Sequence, residues 1–328
     1  MKSIAIRAGF RTTVQDLGRA GFREFGVSLG GALDGFGLRV ANLLVGNDQS
    51  QAGLEVTLGG LELRFDDQRV IAWCGGGFDV FIDSATIPAG HAALVPAGAQ
   101  VKIGPATLGC RAWLAISGGI DLPLVLRSRS TDLRATFGGV DGRALRDGDE
   151  LRLGSNSRST LGLIRNLQSA KIANWKPPHD WSNPAKGDPV LRFIRGNHWH
   201  LLAASSQDSF GRDHFLVSVD SDRMGVRFEQ PVLQNSNAAN LTSEAVAPGT
   251  IQVPPGGTSI LLLGDCQTIG GYPKIGHVIT VDLPIAAQLR PADRVSFRET
   301  SLSEAHRILV ERENQFEQFS RGLEPHFQ

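Results

Sequence analysis

Apolar residues recur along the chain of 328 residues in short runs separated by turn signals such as PAG, GGG, DGD and PPGG. Runs rich in valine, leucine, isoleucine and phenylalanine, punctuated in this way, predict an all-β sandwich or barrel. Only two stretches carry a clear helical period. The first follows Asp34: FGLRVANLLVG repeats its apolar residues on a helical spacing and stops at Gly46, as a helix with an aspartate cap and a glycine past its end would. The second is SLSEAHRILVERENQFEQF, where Ser301 and Glu304 have capping-box spacing and Ala305, Ile308, Leu309, Phe316 and Phe319 line one face. This tail is expected to pack against the body or to face a partner.

Two signals occur twice, in the same order. Val95-Pro96-Ala97-Gly98 is matched by Val253-Pro254-Pro255-Gly256, and LRDGDELRL from Leu145 is matched by LRPADRVSF from Leu289. In both copies a proline turn starts an apolar strand and an acidic turn precedes an alternating one, which suggests duplication of one architecture. Between the halves lies IRNLQSAKIANWKPPHDWSNPAKGDP, rich in proline and polar residues. It is read as a linker that packs through Trp175 and Trp181. The domains expected are then 1–163 and 190–300, joined by 164–189 and followed by a helix and tail at 301–328.

Lysine plus arginine equals aspartate plus glutamate at 33 each, so no net field holds the chain on nucleic acid. Cys74, Cys110 and Cys266 are odd in number and widely spaced in apolar surroundings, and so read as reduced core residues rather than a disulfide framework or a metal site. The start, MKSIAIRAGFRTT, lacks the apolar stretch of a signal peptide, and no later run approaches the roughly 18 apolar residues of a membrane span. A cytoplasmic location is expected.

Candidate chemistry gathers in the second half. SDRMG places Ser221, Asp222 and Arg223 before a glycine, TSEAVAPGTIQVPPGG contributes Glu244 and Gln252, and GDCQTIGGYPKIGH adds Asp265, Gln267, Tyr272, Lys274 and His277. If Gln252 and Asp265 lie on neighbouring antiparallel strands, these groups converge on one barrel face. Tyr272 is the only tyrosine of the chain, and the segment joining two strand-like runs around it is Gly-Gly-Tyr-Pro-Lys. Two readings of that segment stand side by side: an ordinary hairpin in which Gly270 and Gly271 supply positive φ, or a backbone thinned so that a ligand can approach Tyr272 and Lys274. His198 and His200 in HWH would share one side of a strand, but nothing near them completes a metal site, and no metal is expected. Neither GxxxxGK[ST] nor GxGxxG occurs in a strand-to-helix setting.

The segments TTVQDLGRAGF, GALDGFGLRVANLLVGN, LEVTLGG, SGGID, SRSTDLRATFGG, SDRMG, SEAVAPGTIQVPP and QTIGGYPKIGHVI together resemble the allophanate hydrolase subunit 2 family. That family includes the C subunit of 5-oxoprolinase and the second half of the carboxyltransferase domain of urea carboxylase. The resemblance runs in order over nearly the whole chain and favours the ligand-facing reading of the Gly-Tyr-Pro loop. It implies two tandem cyclophilin-like β-barrels with a few short helices. It further implies a companion of the subunit 1 type, like the B subunit of 5-oxoprolinase, and, for a 5-oxoprolinase, a third chain like its A subunit.

Two classes of function follow from the resemblance. One is a subunit, inactive alone, of an ATP-dependent 5-oxoprolinase that opens the lactam of 5-oxoproline to glutamate, with ATP bound at the level of the complex. Asp222, Arg223 and Lys274 are its expected catalytic residues, and Gln252, Asp265, Gln267, Gly270, Gly271 and Tyr272 its expected substrate contacts. A related enzyme reading is carboxyl transfer from carboxybiotin to urea or an amide, with biotin on a separate carrier because the chain has no Met-Lys-Met. The other class is a regulatory subunit that antagonises a kinase inhibitor. The chain departs from the family pattern at Gly30, Gly35, Arg127, Val226 and Ile269, which leaves the substrate open.

Overall fold

The computed structural model describes residues 2–182, 187–234 and 241–328, so positions 183–186 of the expected linker lie outside the described residues. The chain divides into two compact units. One comprises Met1–Arg19, Gly30–Pro184 and Gln315–Gln328, the other Ala20–Leu29 and Ala185–Asn314.

In the first unit, β1 (Lys2–Ala8), β2 (Arg11–Gln15), β3 (Gly53–Thr57), β4 (Leu61–Phe65), β5 (Arg69–Ile82), β6 (Ala85–Thr86), β7 (Ala93–Val95), β8 (Gln100–Ile116) and β9 (Glu150–Arg152) make one nine-stranded sheet. This sheet does not close. Along one edge β8 pairs with β5, while its other edge is shared between β4, at Leu61↔Ile103, and β3, at Leu54↔Leu114. A strand of 17 residues with two neighbours on one side branches the sheet. The outer edges of β2 and β9 meet loop backbone instead of each other: Thr131 N donates to Val14 O at 2.9 Å and Asp121 N to Arg152 O at 2.8 Å. Covering an edge by a loop satisfies its amides as well as closure would. The expectation of two tandem cyclophilin-like barrels is therefore corrected, with an open sheet standing where the first barrel was expected.

Two of the segments that carry the resemblance build this cover. Asp16 accepts hydrogen bonds at 2.6 Å from the hydroxyls of Ser128 and Ser130 and from Arg129 N. Buried hydroxyls and a carboxylate satisfy one another here, as groups removed from water must.

The second unit holds the closed barrel. Its strands are β10 (Val190–Arg195), β11 (Phe215–Val217), β12 (Gly225–Val232), β14 (Thr250–Gln252), β15 (Thr258–Leu262), β17 (Lys274–Val278) and β18 (Arg294–Glu299), ordered β10-β17-β14-β15-β12-β11-β18. Parallel pairing of β10 with β18, from Val190↔Ser296 onward, completes the ring. Its core is aromatic: Phe297 lies 4.8 Å from Phe210 and 4.9 Å from Phe215, centroid to centroid, and Phe193 lies 5.0 Å from Phe210. Each such pair adds about 0.5–1.5 kcal/mol beyond its burial. A separate two-stranded ribbon is formed by β13 (Glu244–Ala245) and β16 (Ile269–Gly270).

Both predicted helices form. Asp34 accepts from Gly37 N at 2.7 Å and starts α1 (Gly35–Leu44), and Gly46 beyond its end has φ +74°. Ser301 accepts from Glu304 N at 3.1 Å and starts α5 (Leu302–Leu323). Glu304 turns to Arg307, at 2.8 Å through both oxygens, instead of back to the cap. Among the described residues three more α-helices occur: α2 (Arg158–Ala170), α3 (Ala204–Phe210) and α4 (Leu283–Ala286). The expectation of only short helices is corrected by α5 with 22 residues and α2 with 13. Ser157 caps α2, accepting from Thr160 N at 3.0 Å, and Leu163, Ile164 and Leu167 are buried.

The two acidic turns seen in the sequence have one local structure. Arg146 N donates to Asp149 and Arg290 N to Asp293, each at 2.8 Å, and the residue before each aspartate, Gly148 or Ala292, has positive φ. The proline turns differ in consequence. β14 and β15 pair as a hairpin, whereas β7 and β8 each pair with β5. The repeat is thus one of turns, and the strands they serve are paired differently.

Candidate functional site

Strands β14 and β17 are antiparallel neighbours, and a bulge after Ile251 sets Gln252 opposite Lys274. Residues opposite one another on paired strands present their side chains to one face. Both side chains here reach the overlying ribbon at a single rung, in which Glu244 pairs with Gly270. Lys274 Nζ donates to the Glu244 carboxylate. The Gln252 carboxamide lies against Gly270, so close that a Cβ on that glycine would stand 2.8 Å from Nε2.

Neither Gly270 nor Gly271 has positive φ, so the expectation that they provide turn conformations is corrected. At Gly270 the Gln252 amide occupies the space that a side chain would take. Gly271 is less constrained, its nearest would-be neighbours being Leu241 O and Ser243 Oγ at 3.4 Å. Gln252 is 1% exposed, and its Nε2 has no hydrogen-bond partner. Its Oε1 receives only a long contact, 3.5 Å, from Gln267 Nε2. A buried donor left unmet costs about 1–3 kcal/mol.

The Lys274 side chain is 15% exposed and that of Glu244 52%. The Glu244 carboxyl is held below the usual carboxylate range, first by the hydrogen bond from Lys274 and then by the charge of Lys274, with His198 adding to the effect. His198 also fixes the backbone of Lys274: Lys274 N donates to His198 Nδ1 and His198 N to Lys274 O, both at 3.1 Å. Arg23 links the two flanks of the ribbon, donating through Nη2 to Val246 O and, at 3.4 Å, to Gln267 O. Burial pushes the nearby Cys266 thiol up, and Arg23 opposes the shift. On β17, burial lowers His277, whose Nδ1 lies 3.5 Å from Thr250 Oγ1.

Of the residues expected at the site, Gln252, Gln267, Gly270 and Lys274 come together at this rung. Tyr272 follows on the connecting loop and is exposed. Arg223 and Asp265 pair with each other instead: Arg223 Nε and Nη2 donate to the two carboxylate oxygens at 2.8 and 3.0 Å, and both side chains are over nine-tenths buried. Asp265 sits in the turn after β15 and not on a strand, so the expected alignment of Gln252 and Asp265 on adjacent strands does not occur. Asp222 accepts from Met224 N at 2.8 Å and Gly225 N at 3.2 Å, which caps the turn into β12. His198 and His200 lie in a turn and a 3-10 helix, Trp199–Leu201, so they do not share a strand face as expected. Among the described residues no cluster of three or more histidine, cysteine or carboxylate side chains is placed to hold a metal ion. Among them, too, no helix is long and apolar enough to cross a membrane. All three cysteines are buried free thiols.

Sequence reasoning does not single out Arg23 or His198 for this site. Arg23 lies more than 200 positions from the carbonyls it holds, and His198 acts through backbone hydrogen bonds that leave no sequence pattern.

The carboxyltransferase domain, subdomain A and B, matches residues 25–299, and the chain belongs to that family. It is 38% identical to the C subunit of 5-oxoprolinase from Escherichia coli over 318 residues, 97% of each chain, and 35% identical to that of Haemophilus influenzae over 95% of each. It also resembles the solved urea carboxylase of Kluyveromyces lactis, with a TM-score of 0.86 at 27% identity over 100% of this chain. The chain spans 30% of that urea carboxylase and 19% of the solved urea amidolyase of the same yeast.

Proposed function

We propose that the chain is one subunit of an ATP-dependent 5-oxoprolinase that opens the lactam of 5-oxoproline to glutamate. The observation that carries this reading is the 38% identity to the C subunit of a 5-oxoprolinase along 97% of both chains. The site is the rung of Gln252 and Lys274, with Gln267, Gly270 and Tyr272 around it. A lactam carbonyl gains negative charge as water attacks, and preorganised donors at such a position lower the barrier. The Gln252 carboxamide, whose Nε2 has no partner, is a donor of that kind, and Lys274 supplies a cation beside it for the carboxylate of the substrate.

The nucleotide belongs to a partner, because this sequence has no phosphate-cradling glycine loop in a strand-to-helix setting. The partners are chains like the B and A subunits of 5-oxoprolinase. Likeness to urea carboxylase over the full chain favours a second reading, carboxyl transfer to urea or an amide from biotin on a separate carrier. The two are separated by co-purifying the chain with its companions and measuring ATP-dependent 5-oxoproline turnover with and without it. Turnover that requires the chain supports the first reading. Turnover unaffected by its omission, or carboxylation of urea in its place, overturns it.

A further inference from the structure

The rung described above has one donor without an acceptor, one ion pair that a ligand can exchange, and a glycine where a side chain would block the way. Gln252 presents a primary carboxamide, in which Nε2 donates and Oε1 accepts side by side. Gln267 uses one of the two lone pairs of Oε1, and only at 3.5 Å. Nε2 is unpartnered. The complement of such a group is an amide with N–H and C=O on the same side, which ordinary peptides lack and rings enforce. Directly across the strand pair, Lys274 is held by a carboxylate, Glu244, that is half exposed and lies on the ribbon. Opposed side chains sit about 5 Å apart at Cβ, a span suited to a small ring carrying a carboxylate beside its amide.

We propose that Gln252 and Lys274 form a two-part receptor for a cyclic cis-amide bearing a carboxylate, opened when the ribbon of β13 and β16 lifts. This rests on the 5-oxoproline reading and names how that substrate is recognised. Gln252 Nε2 donates to the ring carbonyl, and Oε1 accepts from the ring N–H. Lys274 exchanges the Glu244 carboxylate for that of the ligand, so the ion pair is replaced in kind and no charge is left buried alone. Gly270 keeps the amide uncovered by a side chain, since any Cβ there meets Nε2 at 2.8 Å. Each strand of the ribbon has two residues, and the Arg23 bonds fall on Val246 and Gln267 outside them, so the tip at Glu244 and Gly270 can lift while that base stays held.

Binding is tested on the full chain by calorimetric titration with 5-oxoproline, its N-methyl derivative, 2-pyrrolidinone and proline. The receptor predicts that 5-oxoproline binds and that each other probe, lacking the N–H, the carboxylate or the ring carbonyl, binds about tenfold or more weakly. Gln252→Leu weakens 5-oxoproline binding by a similar factor, and Glu244→Gln tightens it severalfold by releasing Lys274 from its competitor. A structural role for either residue would not produce that pair of opposite changes. Absence of binding to the parent chain, equal affinity for the N-methyl probe, or unchanged affinity in Gln252→Leu overturns the receptor. The N-methyl comparison uses the parent chain alone and so stands even if a variant fails to fold. Lactam binding with these preferences, in a chain that adds nothing to turnover of the complex, would overturn the proposed place in a 5-oxoprolinase and leave the receptor intact.

Discussion

Gln252 and Lys274 stand opposite one another in the barrel, and their side chains meet the two members of a single ribbon rung, Gly270 and Glu244. The cover itself is slight, two residues per strand, of which Glu244, Ala245 and Ile269 are exposed. From this arrangement the consequences for each residue can be separated.

Gly270 and Gly271 are expected to differ. In Gly270→Ala the new Cβ meets Gln252 Nε2 at 2.8 Å and displaces the amide, while the far end of that side chain can yield. Stability should stay within about 1 kcal/mol of the parent, because alanine also lowers the entropy of the unfolded chain, and turnover of the complex should fall. Gly271→Ala meets nothing closer than 3.4 Å and should change neither. Thermal melts beside steady-state rates check both.

Arg223 and Asp265 should behave as a structural pair. Breaking a buried, bidentate ion pair leaves one charge unmet, so Arg223→Met alone is expected to cost about 3–5 kcal/mol. Adding Asp265→Leu should return much of that loss. Urea unfolding of the two variants decides the matter: a stable but inactive Arg223→Met would instead return Arg223 to the chemistry.

Much of this fold is legible in the sequence where the signal is local. Asp34 with Gly37 and Ser301 with Glu304 set helix starts through contacts three residues apart, and both are readable from the letters alone. Closure of the barrel depends on β10 pairing with β18 about a hundred positions away, and branching of the other sheet on the length of β8, neither of which a turn pattern encodes. The helix α2 escapes a reading by pattern because its polar residues outnumber the three apolar ones it buries, Leu163, Ile164 and Leu167. At the site, Gln252, Gly270 and Lys274 stand out as part of a cluster of polar residues and glycines near turns. The reason for Gly270 does not, because close approach by a side chain leaves the same letter as a left-handed turn. Arg127 shows the converse: its φ of +63° is a left-handed conformation that ordinarily favours glycine, yet the letter there is arginine.

His277 should give the second unit an acid sensitivity. Burial lowers its folded pKa below the ordinary 6.5, so the unfolded chain takes up a proton that the folded chain refuses. The stability contributed is complete above pH 6.5 and is lost as pH falls toward the folded value. Urea midpoints measured from pH 7.5 down to about 5 should therefore decline less in His277→Gln than in the parent. Parallel declines would show that the imidazole is not the group responsible.

The most direct measurement is the turnover of 5-oxoproline by the purified complex carrying Tyr272→Phe or Lys274→Ala, with melting temperatures taken on the same samples. Tyr272 is exposed, and the ion pair of Lys274 involves a half-exposed carboxylate, so stability should change by no more than about 0.5–1 kcal/mol. Loss of a hydrogen bond or a charge-assisted contact to the substrate should cost about 1.5–3 kcal/mol, or roughly tenfold to a hundredfold in rate. The account predicts slow complexes with unchanged melting. Parent rates in both variants would contradict it and leave the Gly-Tyr-Pro segment as an ordinary connection between strands.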